Sequence, residues 1–584
     1  MFRCKKRRTF VLIIVSCLLL TGCKWFSNSK TPQEDFKTFT NRIFKTEVKQ
    51  NTLTLNFSLA DPKAYGITDV PVTLGDYSTS QMIQSLMNSE NYLKTLQTYN
   101  YDSLTEEEKL TYDILEKELS QDLNSGDYLL YMESLGPTTG IQAQLPILLA
   151  EYNFYSKEDI ETYLNLLPTV SDYFKQIIEF EKEKSDAGLF MSDRVADNII
   201  KQCEDFISKK EDNYLIEVFN DTIDKYEGLT KQEKTAYKEA NKHEVLHSII
   251  PAYQLLINEL SLLKGTGTNN GGLGNYEKGK EYYEYLIQSN TGTDKTVPEL
   301  KEMLESSITS NLLTLSTIMA KDPSVYDRAL NPKYPSSNPE DILEHLKIAI
   351  QKDFPKAPDV NYSIKYVHNS LQDHLSPAMY LIPALDNYKE NIIYINNNPN
   401  YNMAQIFPTI AHEGYPGHLL QSVYFRDQQP APIRSLLSFG GYVEGWATYV
   451  EHLSYSLAGF DDNLSEFLQA NASANMALYC RLDIGIHYDT WSLSDTAKYL
   501  KQFGITDLTT VETLYTTMIE EPALYPQYGI GFLEIIELKQ KAQLALGKNF
   551  DLKEFHTFFL DIGPAQFSVI EKRMDNFLLT AAKK

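Results

Sequence analysis

Cysteine is scarce in this chain, five in 584 residues, and no two are spaced as C-x-x-C. That excludes a disulfide framework, a zinc ribbon and a dithiol redox site. Positive charge is also in deficit: 54 Lys and Arg stand against 78 Asp and Glu, a formal net charge of −24 with a pI near 4.9. Such a chain lacks the basic face that nucleic-acid binding requires. No G-x-S-x-G elbow is present, so a serine hydrolase of that kind has no support. A near-match to a phosphate-binding loop at Gly274, Gly279 and Lys280 fails because Glu281 replaces the required hydroxyl residue and no strand precedes it, so no nucleotide is expected. Internal repeats and long low-complexity tracts are missing too. What is present is ordinary for a soluble protein with a large core, 42% hydrophobic and 23% charged residues. Length alone suggests about four domains, but one large helical domain fits as well.

The first 22 residues have the form of an address. Lys5, Lys6, Arg7 and Arg8 precede a short apolar run, Phe10 to Leu20, which is brief for a ~30 Å hydrocarbon layer and reads as a signal peptide. It ends in Leu20-Thr21-Gly22-Cys23, the form of a bacterial lipobox, with cleavage before Cys23 and lipid on its thiol. The expectation is residues 1–22 as signal peptide, 23–34 as a lipid-anchored tether, and 35–584 as one helical domain. That domain has an N-terminal part, 35–330, and a part carrying the chemistry, 331–584. The protein would sit on the cell membrane through the lipid on Cys23, facing the extracytoplasmic side. Cleavage removes Cys4 and Cys17 and leaves Cys203 and Cys480, paired or free.

Amphipathic periodicity predicts helices over 105–121, 157–184, 192–225, 231–263, 276–288 and 298–320. Thr296-Val297-Pro298-Glu299 has the spacing of a capping box. Val360–Val367, Ala378–Leu385 and Asn391–Asn396 are instead short and rich in β-branched and aromatic residues, and predict three strands. The last would be placed to receive an extended peptide by main-chain pairing.

Two histidine motifs compete for a metal. His243-Glu244-Val245-Leu246-His247 is a literal H-E-x-x-H, which on a helix puts both imidazoles on one face. Pro251 interrupts the helix beyond it, however, and the next glutamate, Glu259, lies ~18 Å along the axis. A helix surface is the favoured reading. The second motif, His412-Glu413-Gly414-Tyr415-Pro416-Gly417-His418, spaces its histidines six apart, ~120° out of phase on a regular helix. If Pro416 and Gly417 loop out as a two-residue bulge, His412 and His418 return to one face. Solvated histidines beside a broken helix end are the alternative. Glu444, 26 residues beyond His418 in Gly440-Gly441-Tyr442-Val443-Glu444-Gly445-Trp446, is far enough along to return a carboxylate on a new helix. Two histidines, one carboxylate and an open fourth position make a catalytic zinc shell. Glu451, ~20° from Glu444 on the same face, could orient a ligand. Asp483 and His487, four apart, could pair so that His487 stabilises an oxyanion or binds a carboxylate; a core or surface histidine is the alternative.

Taken together, His412 to His418 with Leu419-Leu420-Gln421, then Glu444-Gly445-Trp446-Ala447 with Tyr449 and Glu451, then Asp483-Ile484-Gly485-Ile486-His487, resemble the ordered motifs of the bacterial family called domain of unknown function 885. Glu521-Pro522-Ala523, Tyr525, Gly531-Phe532-Leu533-Glu534 and Phe555-His556 fit its C-terminal region. The resemblance implies a mainly α, zincin-like (gluzincin-type) metallopeptidase architecture with one small sheet beside the active-site cleft. By position it implies Zn2+ on His412, His418 and Glu444, with Glu413 as general base. Two departures stand out: Leu419 occupies a position where the family often has a second consecutive histidine, and Arg481 is out of register with the family's arginine. The expected function is a membrane-anchored zinc peptidase acting on peptides outside the cytosol, with His487, Tyr525 or Tyr528 as oxyanion donor. The alternative is a peptide- or solute-binding lipoprotein with a non-catalytic metal site.

Overall fold

A computed structural model describes residues 34–581 other than 370, 371, 373 and 374. The signal sequence, most of the tether and Cys23 lie outside the described residues. Within them the protein is mainly helical with a small three-stranded sheet, and no helix is long and apolar enough to cross a membrane.

The predicted helices form, and their interruptions follow local chemistry. Pro168 divides the expected 157–184 helix into Lys157–Leu166 and Val170–Asp186 through a single tight turn. Thr296 and Glu299 close the expected capping box on the helix Val297–Lys321. At 231–263 the helix does not break before Pro251 but widens into a π-turn, Val245–Ile249, from which Ile250–Leu263 continues. The extra residue rotates the buried stripe onto Val245, Ile249, Ala252, Tyr253 and Leu256, while Leu246 is only partly buried.

The hydrophobic interior separates near 264–272. One core gathers residues between Leu53 and Leu260. The larger one gathers residues from Leu273 to Met574 together with Ile114. The helices Gly279–Thr291 and Val297–Lys321 therefore pack with the C-terminal part. Glu521 ties the two cores together by accepting from the Thr138 and Thr139 amides and the Thr139 hydroxyl. Cys203 and Cys480 are both buried and free.

The strands are β1 (Asn361–Tyr366), β2 (Ala378–Leu381) and β3 (Glu390–Ile395), in the order β1-β3-β2. β3 is parallel to β1 and antiparallel to β2, so both of its edges are occupied and it cannot receive a peptide. That expectation is corrected: β1 and β2 are the edge strands of the sheet. Asn396 donates to the Pro377 carbonyl, and Met379 lies opposite Tyr394. In an antiparallel pair, alternation then turns the main-chain groups of Ala378 and Tyr380 away from β3.

The helices Gly440–Leu457 and Leu524–Leu546 cross at close range. A Cβ on Gly445 would lie 2.4 Å from the Gly531 carbonyl carbon, and one on Gly531 would lie 2.2 Å from the Gly441 carbonyl oxygen. Both obstacles are backbone, so the helices meet at a distance that only glycine permits. Gly445→Ala should therefore lower the denaturant midpoint and destabilise the fold by about 1–3 kcal/mol or more. An unchanged midpoint would show that the two helices separate freely.

Candidate metal centre

Phe407–Glu413 is a short helix ending at the first half of the histidine motif, and His418–Asp427 is a second helix beginning at the other half. Between them Gly414–Gly417 is irregular, with a cis Tyr415–Pro416 peptide. The interruption is thus four residues long rather than the expected two-residue bulge. Gly417 donates its amide to the Ala411 carbonyl, and a Cβ there would fall 1.7 Å from the His412 carbonyl oxygen. Leu343 fills the space that a side chain at Gly414 would need. Trp446, fully buried, closes the loop by donating its indole N–H to the Pro416 carbonyl at 3.0 Å.

This turn brings the two imidazoles to a ring-centroid separation of 4.8 Å. The helix Gly440–Leu457 delivers Glu444 between them, with one carboxylate oxygen 3.5 Å from Nε2 of His412 and 3.5 Å from Nε2 of His418. Two turns along the same helix, Glu451 meets Nδ1 of His412 at 3.0 Å. An Nδ1–H donated to Glu451 leaves the Nε2 lone pair of His412 available to a metal. Glu413 joins the cluster: one ligand atom each from His412, Glu413 and His418 lie within 4.8 Å of one another. One of its oxygens accepts the Tyr380 amide of β2 at 2.8 Å. The His412 and His418 side chains are 12% and 13% exposed, shielded but within reach of solvent.

Burial disfavours charge here, yet hydrogen bonds override it. Glu444 is held well below the usual carboxylate range by His412 and His418, and Glu451 is lowered by His412. His412 is raised well above the ordinary imidazole value by Glu444 and Glu451. Three carboxylates surround two imidazoles, so the site demands positive charge, which protons or a divalent cation can supply. The donor set, imidazole nitrogens and a carboxylate oxygen converging on one point, fits zinc.

The remaining expected residues divide. Tyr528 stands beside the cluster, its ring 6.4 Å from that of His412 and nearly parallel to it, and burial raises its pKa. Tyr525, one turn earlier, packs on Tyr479 and is not brought against the cluster. His487 and Asp483 do not form the expected pair. His487 is 1% exposed; its Nδ1 accepts from the Leu273 amide and its Nε2 donates to the Met518 carbonyl, so no ring atom is left for a substrate. Asp483 instead accepts from the Tyr283 hydroxyl and the Ala523 amide, and burial pushes its pKa up to about 7. It anchors the turn from which the Tyr528 helix starts, with Ala523 in the left-handed region at φ 59°.

Nothing in the sequence pointed to the Tyr380 amide as the partner of Glu413, because a backbone donor carries no residue signature. The literal H-E-x-x-H is helix surface: His243 and His247 are exposed with rings stacked at 4.3 Å, Glu244 accepts from Ser248, and Glu259 pairs with Lys182.

The family model described as "Bacterial protein of unknown function (DUF885)" matches residues 63–574. The fold is similar to the crystal structure of "the putative lipoprotein from Colwellia psychrerythraea", with a TM-score of 0.81, 19% identity, and coverage of 93% of this chain and 99% of the other. It is also similar to "a putative lipoprotein of unknown function from Shewanella oneidensis", with a TM-score of 0.63, 18% identity, and coverage of 93% and 100%. No curated protein matches the chain significantly.

The environment of His487 gives a pH prediction. Burial lowers its folded pKa to about 4, against ~6.5 for an unfolded histidine. Between those values the unfolded chain binds a proton that the folded one refuses, so stability is full above ~6.5 and falls as pH drops, by up to about 3 kcal/mol from this residue. His487→Gln should flatten that slope in denaturant titrations and leave metal content unchanged. Loss of metal in a folded His487→Gln protein would overturn the structural role.

Proposed function

The chain belongs to the DUF885 family of bacterial proteins of unknown function, and we propose that it is a zinc-dependent peptidase of zincin-like architecture. The observation that carries this reading is the convergence of His412 Nε2 and His418 Nε2 on one Glu444 oxygen, with Glu413 alongside. His412, His418 and Glu444 would hold the metal. Bound there, zinc supplies a Lewis acid that acidifies water and polarises a scissile carbonyl.

The protein's own groups do the rest. Glu413 accepts the proton of the attacking water and delivers it to the leaving amine. Its anchor, the Tyr380 amide, keeps the carboxylate aimed from the sheet side. Tyr528, a protonated phenol beside the cluster, donates to the oxyanion that develops on the carbonyl. Glu451 fixes the tautomer and orientation of His412. The lipobox-like Leu20–Cys23, together with the likeness to two putative lipoproteins, supports a lipid-anchored, extracytoplasmic location.

Elemental analysis of the full-length chain tests the metal. About one zinc per chain, lost in His412→Ala/His418→Ala and kept in His243→Ala/His247→Ala, is expected; the reverse pattern would move the site. Glu451→Gln should weaken zinc binding about 10–100-fold. Glu413→Gln should keep zinc and slow cleavage in a peptide-library assay by about 10²–10⁴-fold. Zinc-loaded wild type that binds peptides without cutting any would favour a binding lipoprotein.

A further inference from the structure

On the far side of the Glu444 helix, among Val297–Lys321, Gly440–Leu457, Asp462–His487 and Leu524–Leu546, lies a second cavity of about 460 Å3. That volume falls within the range of small-molecule sites. None of His412, Glu413, His418 or Glu444 lines it. Tyr449, which does, is ~160° around the helix axis from Glu451.

One lysine in this cavity is held without a counter-charge. His556 donates Nδ1–H to the Asp353 carbonyl, so its Nε2 accepts the Tyr449 hydroxyl proton at 2.8 Å. The Tyr449 oxygen can then accept from Lys539 at 3.3 Å, and the ammonium also lies 4.8 Å from the centre of the Tyr449 ring. These partners are neutral, and among the described residues no carboxylate pairs with Lys539. Of its three donors one is used, leaving two for a ligand. Glu466, which also lines the cavity, makes no ion pair with Lys539 or with any other described residue. Hydroxyl and amide groups such as Ser306, Ser310, Gln469 and Ser473 share the walls, with Phe532 and Leu533 as apolar surface.

In a chain with 24 surplus negative charges, a lysine lacking a carboxylate partner in a polar cavity is an anion receptor, and an unpaired glutamate in the same cavity is a receptor for a cation. We propose that this cavity binds a small zwitterion of the amino-acid class, its carboxylate on Lys539 and its ammonium on Glu466. The site does not depend on the metal reading; if that reading holds, the ligand has the chemistry of a peptidase product.

The test is calorimetry and thermal shift of the full-length chain against a panel of standard L-amino acids. At least one should bind and raise the melting temperature. Its amide, lacking the carboxylate charge, and its N-acetyl derivative, lacking the ammonium, should each bind about tenfold or more weakly. Lys539→Gln and the exposed-residue variant Glu466→Gln should each lose a similar factor, and Lys539→Arg should retain binding. His412→Ala/His418→Ala should bind as wild type does. Silence across the whole panel, undiminished binding in Glu466→Gln, or binding lost only with the metal-site histidines would overturn the proposal.

Discussion

Contact between the Gly417 backbone and the His412 carbonyl is the constraint on which the candidate centre depends. A side chain at 417 would collide with that carbonyl, and without the collapse at Gly414–Gly417 the two histidines would face different sides of one helix. The turn has external supports. Trp446 fastens it from the Glu444 helix, and the same helix is pressed against Leu524–Leu546 by Gly441, Gly445 and Gly531. The histidines on two short helices, Glu444 and Glu451 on a third and Tyr528 on a fourth are therefore set by a few backbone approaches that admit no Cβ.

Electrostatics then narrows what such a site can hold. The chain is acidic overall, and Glu413, Glu444 and Glu451 concentrate that charge around two imidazoles. Charge of this density in a shielded place is stable only with a compensating cation. Protons serve on His412 in the absence of metal, as its raised pKa records. A divalent ion satisfies the same demand with better geometry, since the two Nε2 atoms and the Glu444 oxygen already point inward. The lysine-bearing cavity across the helix shows the converse, a positive charge with no carboxylate partner among the described residues of a chain rich in carboxylates.

Much of this was legible in the sequence, and the failures share a cause. Helix positions, the Thr296 capping box and the three strands follow from periodicity and local chemistry, which act over a few residues. The nearness of His412, His418, Glu444 and Glu451 was readable because proline and glycine mark the break and seven-residue spacing marks a helix face. What could not be read was long-range pairing. Asp483 and His487 have spacing for a pair, yet each finds a distant partner: Tyr283 and Ala523 for one, Leu273 and Met518 for the other. Strand order likewise put β3 in the middle and β2 at the edge, a fact of topology rather than of composition.

The two histidine motifs show why spacing alone is a weak guide to a metal. His243 and His247 have the regular four-residue interval, and their rings lie even closer than those of His412 and His418. Yet their helix is exposed along that face, His247 Nδ1 is occupied by the His243 carbonyl, and among the described residues no second element brings a carboxylate to them. An ion there would have two neutral ligands in open water, with little advantage over its own hydration shell. At 412–418 the interval is irregular, but a third helix brings a carboxylate, Glu444, to both imidazoles and an orienting one, Glu451, to His412, and the surroundings exclude most of the solvent. Affinity comes from convergence of separate elements in a shielded place, and the glycines that break the motif are what make that convergence sterically possible.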